Sequence, residues 1–170
     1  MFVNQSVEVF EYFYPFAESI NEKLLEESKI IEYSESYKTN LECKMSSWET
    51  KTKNSRTIAN WVTSLLYNKY NPYKYCFLVD KLWFAKYDHN DFAISHNHIP
   101  FSFAFVYFVN TPKGSSPLCF NRKKIKAEEG KLIIFPGCIN HRVPKNKCET
   151  RLVLAGNVSL QKLDFNLTLP

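Results

Sequence analysis

The sequence lacks closely spaced cysteine pairs. Its cysteines are odd in number and no two of them have Cys-x-x-Cys spacing: Cys43, Cys76, Cys119, Cys138 and Cys148. Such a set does not build a disulfide framework. The simplest interpretation is a protein of a reducing compartment.

Long apolar segments are also missing. No apolar run reaches the roughly 18 residues that a membrane-spanning helix needs. The N-terminal stretch MFVNQSVEVFEYFYPF lacks the basic region and the following apolar block of a signal peptide. We therefore expect a cytoplasmic protein that does not insert into a membrane.

A strong charge of one sign is absent as well. The chain has 22 Lys and Arg against 17 Asp and Glu, a net charge of +5. Its densest basic stretch, NRKKIK at 121–126, is short, whereas a nucleic-acid groove needs more cations on one face with aromatic residues between them. The charge pattern therefore does not favour a nucleic-acid partner.

What is present is the composition of a globular protein. Hydrophobic residues make up 45% of the chain and aromatic residues 16%, which is enough apolar surface to form a core. A length of 170 residues suits one domain, 1–170. No internal repeat or low-complexity linker divides it.

A first helix is predicted around 15–30. Pro15 suits the first turn of a helix because its missing N–H needs no partner there. Apolar residues recur every four positions on one face, which is typical of an amphipathic helix: Phe16, Ile20 and Leu24.

A second helix is predicted around 55–70. Asn54 or Ser55 is a suitable N-cap, and Pro72 ends the helix. We expect both helices to cover one face of the core. The apolar stripe of this second helix consists of Ile58, Trp61, Val62, Leu65 and Leu66.

After Tyr73 the pattern changes to short β-branched and aromatic runs. The runs are KYCFLV, LWFAKY, FSFAFVYFV, PLCF, KLIIF, RLVLAGNVSL and FNLTL, separated by turn signals such as DHND, NTPKGSSP and AEEG. Many short strands at this spacing predict a β-sandwich or jelly roll. The predicted fold class is mainly β with flanking helices (α+β).

Two histidines stand one residue apart in SHNHIP (95–100). Side chains at positions i and i+2 of a strand point to the same face, so His96 and His98 can turn toward one point. The alternative is a pair of polar residues at a strand edge. No carboxylate is adjacent, and the nearest ones, Asp88 and Asp91, belong to the preceding loop.

His141 and Arg151 favour a metal site. His141 follows the turn at Pro136 and Gly137, and Arg151 comes ten residues after it, at the start of the next predicted strand. A third imidazole on an adjacent strand would complete a set of metal ligands. Arg151 could hold a nearby carboxylate, because a guanidinium pairs with carboxylates in a bidentate manner.

This order of residues resembles the Fe(II)/2-oxoglutarate-dependent dioxygenases. The most similar members are small prolyl-4-hydroxylase-like proteins, including ones of marine phages and bacteria. The resemblance covers most of the chain after the first helix and implies a double-stranded β-helix, the cupin-like form of the jelly roll. If a phage encodes the chain, the host cytoplasm is its expected location. The matching segments are MSSWETK, LWFAKY, SHNHIP, FVYFVN, GKLIIFPGCINHRVP and RLVLAGN.

The resemblance implies roles for the histidines. His96 and His141 would be two imidazole ligands of Fe(II), and His98 would be the third, where the family usually has Asp or Glu. With Arg151 they form the predicted catalytic set. The implied reaction hydroxylates an unidentified substrate, such as a peptidyl or free amino acid, with O2 and with decarboxylation of 2-oxoglutarate to succinate.

The resemblance also implies a binding site for 2-oxoglutarate. Arg151 would hold the distal carboxylate and Tyr87 would hydrogen-bond to the cosubstrate. Tyr107 and Phe108 stand where relatives often have two tyrosines, and Phe108 lacks the hydroxyl. Asn157 falls on the same strand face as Arg151 and is expected to line the pocket.

Three other interpretations stay open at this point. A cupin-type three-histidine dioxygenase without 2-oxoglutarate would use Gly130, Pro136 and His141 as its second motif, and imidazoles also suit Zn(II), Ni(II) or Cu(II). Cys138 has Cys-x-x-His spacing to His141 and would make a closed zinc site with the His-x-His pair. A non-catalytic binding module would also explain the missing carboxylate. The sequence does not indicate the oligomeric state.

Overall fold

The run from Phe103 to Val109 is buried along its whole length because both faces of its strand are covered. Alternate residues of a strand point to opposite faces. Phe105 and Tyr107 join a hydrophobic cluster under the helices, whereas Val106 and Phe108 join a second cluster between two sheets. The unbroken apolar run is therefore the signature of a strand in a middle layer.

The computed structural model describes residues 8–34, 40–121 and 123–163. Its helices are α1 (Ala17–Lys29) and α2 (Lys53–Lys69). Neither of them is long and apolar enough to cross a bilayer. Its strands are β1 (Phe10–Phe13), β2 (Leu41–Glu42), β3 (Lys44–Met45), β4 (Tyr75–Asp88), β5 (Phe92–His96), β6 (Phe103–Asn110), β7 (Leu118–Phe120), β8 (Lys124–Ile125), β9 (Lys131–Pro136), β10 (His141–Val143) and β11 (Thr150–Lys162).

The strands form two antiparallel sheets. The major sheet has six strands in the order β1-β9-β6-β11-β4-β3, and the minor sheet has five in the order β2-β5-β10-β7-β8. Neighbours in both sheets are often distant in sequence, as the crossing connections of a jelly roll require. The predicted fold class, mainly β with flanking helices in a jelly roll, is confirmed.

The first helix lies close to its predicted position, with a shifted start. Ile20 and Leu24 pack against the major sheet as expected. However, α1 begins at Ala17, so Pro15 precedes its first turn, and the N-cap residue Phe16 is 72% exposed. The apolar face therefore starts one turn later than the sequence pattern predicts.

The second helix also has a different cap from the one predicted. Thr52 is its N-cap, and the Thr52 hydroxyl accepts a hydrogen bond from the Ser55 N–H. The same hydroxyl donates to Glu27 of α1, which also accepts from the Asn54 N–H at 3.0 Å. This contact between the two helices explains why the helix begins at Lys53.

Two predicted strands merge into one. KYCFLV and LWFAKY form the continuous strand β4, because β11 pairs with it antiparallel from Thr150 to Lys162. β11 in turn pairs with β6 on its other side. The predicted run FNLTL lies outside the described residues, and several strands of two to five residues escaped the sequence pattern because they are short.

Candidate metal centre and adjoining cavity

Strand pairing brings two of the histidines together. β10 pairs antiparallel with β5 so that His141 lies opposite His96, and their ring centroids are 4.4 Å apart. Both residues belong to the minor sheet, where they face the major sheet across the sandwich. The predicted imidazole on an adjacent strand is present.

His98 reaches the same place from a loop. β5 ends at His96, so His98 is not on the strand face that the sequence argument assumed. Its backbone N–H donates to the carbonyl of Gly137 at 2.7 Å. Its ring centroid is 5.4 Å from that of His96 and 5.0 Å from that of His141.

The three imidazoles can hold a metal ion. One ring nitrogen from each of His96, His98 and His141 lies within 4.8 Å of the other two. Nδ1 of His96 is 2.8 Å from the Ile94 carbonyl, and Nδ1 of His141 is 3.4 Å from the Ile139 carbonyl. A carbonyl only accepts, so Nδ1 of each ring carries the proton and Nε2 presents its lone pair.

Burial keeps these imidazoles neutral. It is the main cause that lowers the pKa of all three, to about 4 for His98 and about 3 for His141. The charge of the neighbouring imidazoles lowers the pKa of these two further, while the Asn157 amide acts in the opposite direction on His98. Neutral rings need to release no proton when they bind a metal.

A cavity of about 310 Å³ adjoins the imidazoles. Arg151 lines it, is only 1% exposed, and lies opposite Tyr87 across the pairing of β11 with β4. Its Cζ is 4.8 Å from the Tyr87 ring centroid and 5.2 Å from that of Phe108. Its Nε and Nη1 have no hydrogen-bond partner among the described residues.

An unpaired buried cation calls for an anion. Burial lowers the pKa of Arg151, yet a guanidinium stays protonated at neutral pH. A buried charge is costly unless it is paired and hydrogen-bonded. A carboxylate bound in the cavity would supply both the opposite charge and the hydrogen bonds. Binding such a carboxylate is the role predicted for Arg151.

Tyr87 and Asn157 line the same cavity, as predicted. Burial raises the pKa of Tyr87 well above its usual value, with a contribution from nearby Cys43, so its hydroxyl is a neutral hydrogen-bond donor. Arg151 and Asn157 share the inner face of β11 because they are separated by an even number of residues. The structure therefore brings together six of the seven predicted site residues, all except Tyr107.

Tyr107 is not part of this cavity. It points to the opposite face of the major sheet, where its hydroxyl donates to Oδ1 of Asn21 in α1 at 2.8 Å. The prediction that Tyr107 binds the cosubstrate is wrong, because adjacent strand residues face opposite sides and Phe108 takes the inner one. The same alternation along β4 places Trp83 in the cavity wall, a residue that the sequence analysis missed.

The alternative ligands do not reach the centre. Asp88 accepts hydrogen bonds from Lys44 and from the Thr150 hydroxyl, each at 2.8 Å, and Asp91 accepts from the Asp88 N–H. Cys138 is exposed. Within the described ranges the ligand group consists of three histidines, so the closed zinc site with Cys138 and a carboxylate from the loop are both excluded by this geometry.

The fold and the site together define a class of protein. It is a jelly roll in which a group of three histidines lies beside a buried arginine. No protein-family model and no curated protein matches the chain. The viral collagen prolyl hydroxylase of Paramecium Bursaria Chlorella virus-1, solved with 2-oxoglutarate, is similar in structure at 13% identity, with a TM-score of 0.68 over 88% of this chain and 94% of that chain.

Two further solved structures have the same fold. A prolyl-4-hydroxylase of Pseudomonas putida is 16% identical, with a TM-score of 0.68 over 91% of this chain and 93% of that chain. HygX of Streptomyces hygroscopicus, with nickel, 2-oxoglutarate and hygromycin B bound, is 7% identical, with a TM-score of 0.72 over 90% of this chain and 83% of that chain. The chain therefore has the fold of the 2-oxoglutarate-Fe(II) oxygenases.

Proposed function

We propose that this protein is an Fe(II)- and 2-oxoglutarate-dependent oxygenase. The observation that carries the proposal is the buried guanidinium of Arg151 on the wall of the cavity that three imidazoles line; in the part of the chain that the structure describes, its Nε and Nη1 have no hydrogen-bond partner. A small dicarboxylate suits such a cavity, since one end can meet the metal while the other meets the arginine. The structures of the viral hydroxylase and of HygX contain 2-oxoglutarate.

The residues present fit the metal and the cosubstrate. His96, His98 and His141 would hold Fe(II), which together with 2-oxoglutarate and O2 supplies the oxidising chemistry. Arg151 would bind the distal carboxylate through charge-assisted hydrogen bonds. Tyr87 keeps its proton and would donate a hydrogen bond to the cosubstrate. The surrounding aromatic side chains limit access of water to the reacting atoms.

The substrate belongs to the proposal as well. Similar structures include a viral collagen prolyl hydroxylase, a prolyl hydroxylase of Trichoplax adhaerens in complex with a peptide fragment, and HygX with hygromycin B. We take a peptidyl or free amino acid such as proline as the substrate class to test first. The five free cysteines support a cytoplasmic location.

The test separates metal binding from cosubstrate binding. Anaerobic Fe(II) with 2-oxoglutarate should give a weak visible absorption band, and 2-oxoglutarate should raise the Tm of the metal-loaded protein. Arg151→Met, which keeps most of the side-chain volume, should abolish the effect of 2-oxoglutarate and leave Ni(II) binding intact. A wild-type protein that shows neither the band nor the Tm shift would refute the proposal.

A second candidate is a three-histidine dioxygenase that does not use 2-oxoglutarate. The position of His98, where a carboxylate would be usual, favours it. O2 consumption with a substrate should then survive Arg151→Met and need no 2-oxoglutarate. Release of succinate by the wild-type protein would exclude both this candidate and a non-catalytic binding module.

A further inference from the structure

The third imidazole of the candidate centre differs from the other two in what holds its ring. Nδ1 of His96 lies beside the Ile94 carbonyl and Nδ1 of His141 beside the Ile139 carbonyl. Within the described residues no backbone carbonyl accepts a hydrogen bond from the ring of His98. A histidine that binds a metal through one ring nitrogen carries a proton on the other, and an acceptor for this N–H fixes the ring. For His98 a side chain has to supply that acceptor.

One acceptor in the cavity wall lacks a donor. Oδ1 of Asn157 is buried without a hydrogen-bond partner, and the residue is 8% exposed. Among the described residues that line the cavity, the other buried and unpaired side-chain atoms belong to Trp83 and Arg151, whose N–H groups can only donate. Asn157 Oδ1 is therefore the one buried acceptor of this wall that is left to pair. Leaving it unpaired is unfavourable, so a donor that reaches it would stabilise the site.

The strand order places Asn157 next to the ring of His98. Asn157 of β11 pairs with Ala104 of β6, and Ala104 pairs with Phe135 of β9. The ring centroid of His98 is 6.0 Å from that of Phe135 and 6.2 Å from that of Trp83, which belongs to β4 on the other side of β11. The imidazole thus lies over the strands between β9 and β4, where Asn157 projects from the same inner face.

Small side chains flank Asn157 on this face. Ala104 lies directly opposite it and Ala155 stands two residues earlier on β11, so an imidazole has room to approach the amide. The amide is near enough to raise the pKa of His98, which is the direction that an acceptor beside a ring N–H produces. Oδ1 makes no hydrogen bond of ordinary geometry, so a rotation of one of the two side chains would complete the contact.

We propose that Asn157 is a positioning residue for the third metal ligand, with its Oδ1 accepting a hydrogen bond from the ring nitrogen of His98 that faces away from the metal. This inference rests on the metal centre of the proposed function. A carboxylate in place of His98 would have no N–H to donate, so the acceptor at Asn157 matters because this ligand is a histidine. A cosubstrate that reaches the metal can also meet Asn157, and metal binding is therefore measured without 2-oxoglutarate.

The ring N–H signals of the histidines provide the first test. Protein labelled with ¹⁵N-histidine is loaded with Zn(II), which is diamagnetic, and His98→Asp identifies the signal of His98. The signals of His96 and His141, whose rings face backbone carbonyls, are internal controls. We expect a downfield, slowly exchanging ring N–H signal from His98 that Asn157→Leu removes and Asn157→Asp keeps. If the wild-type protein lacks this signal, or if Asn157→Leu leaves it unchanged, the inference is wrong.

Calorimetry with Ni(II) alone measures the consequence for metal binding. Asn157→Leu, of similar volume but without an acceptor, should weaken Ni(II) binding at least about tenfold, as the loss of such a partner usually does. Asn157→Asp, which keeps an acceptor and lacks the amide donor, should retain it. If Asn157→Leu keeps its Ni(II) affinity and weakens only the binding of 2-oxoglutarate, Asn157 contacts the cosubstrate, and the inference is overturned while the proposed function stands. If both variants behave as expected but 2-oxoglutarate does not bind the wild-type protein, the inference stands and the proposed function is refuted.

Discussion

His141 lies directly opposite His96 in the antiparallel pairing of β10 with β5, with ring centroids 4.4 Å apart. A slip of one residue in this register would turn one imidazole to the other face of the sheet. His98 depends instead on a loop, where the Gly137 carbonyl holds its backbone N–H. Two imidazoles of the candidate centre are thus positioned by strand pairing and the third by a turn.

The first prediction concerns the third imidazole. His98→Ala should weaken Ni(II) binding at least about tenfold, or about 1.4 kcal/mol, because it removes one of three ligands. His98→Asp should retain binding, since a carboxylate is an alternative ligand at such centres. Isothermal titration calorimetry measures both. His89→Ala, which alters an exposed histidine outside the centre, is the control, and equal affinity of His98→Ala and His89→Ala would contradict the prediction.

A second prediction concerns the turn that holds His98. A Cβ at Gly137 would collide with the backbone carbonyl oxygen of Phe101, which cannot move away as a flexible side chain would. Gly137→Ala should therefore displace the loop that carries His98 and lower Ni(II) affinity more than it lowers stability. Parallel calorimetry and urea unfolding compare the two effects. An unchanged Ni(II) affinity would show that this turn does not position His98.

The third prediction concerns pH. Burial lowers the pKa of His141 to about 3 in the folded state, whereas the unfolded chain titrates near the usual 6.5. Between these values unfolding takes up a proton, so the metal-free protein should lose stability as the pH falls, by up to about 1.4 kcal/mol per pH unit from this residue. Urea unfolding with chelator between about pH 6.5 and pH 4.5 measures the slope. His141→Gln should flatten it, and an unchanged slope would contradict the assignment.

The fourth prediction concerns Asn146, a fully buried amide that contacts the backbone of Tyr87. Its Nδ2 donates to the Tyr87 carbonyl at 2.9 Å and its Oδ1 accepts from the Ser116 N–H at 3.1 Å. Asn146→Ala should leave both backbone groups unpaired and cost roughly 2–4 kcal/mol. Urea unfolding measures the loss. Asn60→Ala, on the exposed face of α2, should change stability little, and a similar small effect at Asn146 would contradict this account.

Much of the helical structure could be predicted because its signals are local. Ile58, Val62 and Leu66 form a stripe that a helix of any context would present to a core, and they are buried as expected. The cap at Thr52 could not be predicted, because Glu27 of the other helix contributes to it. Contacts between elements decide such boundaries when two neighbouring residues are both good caps.

The candidate site, too, was predictable in part from local signals and depended in part on contacts between distant elements. Spacing singled out His96, His98, His141 and Arg151, and the alternation of strand residues placed Asn157 on the face of Arg151, where both line the cavity. The resemblance could not assign Tyr107 to a face. It covers two adjacent positions, Tyr107 and Phe108, and only one of them points into the cavity. That choice depends on which side of β6 the helices cover.

The sequence by itself determined a β-sandwich or jelly roll with flanking helices and a group of histidines followed by an arginine, because hydrophobic period, turn residues and spacing are properties of short segments. The tertiary structure alone decided that His98 converges from a loop, that Tyr107 faces the helices, and that the nearby carboxylates stay away from the centre. These outcomes follow from the pairing register of strands far apart in the chain, which no local pattern encodes.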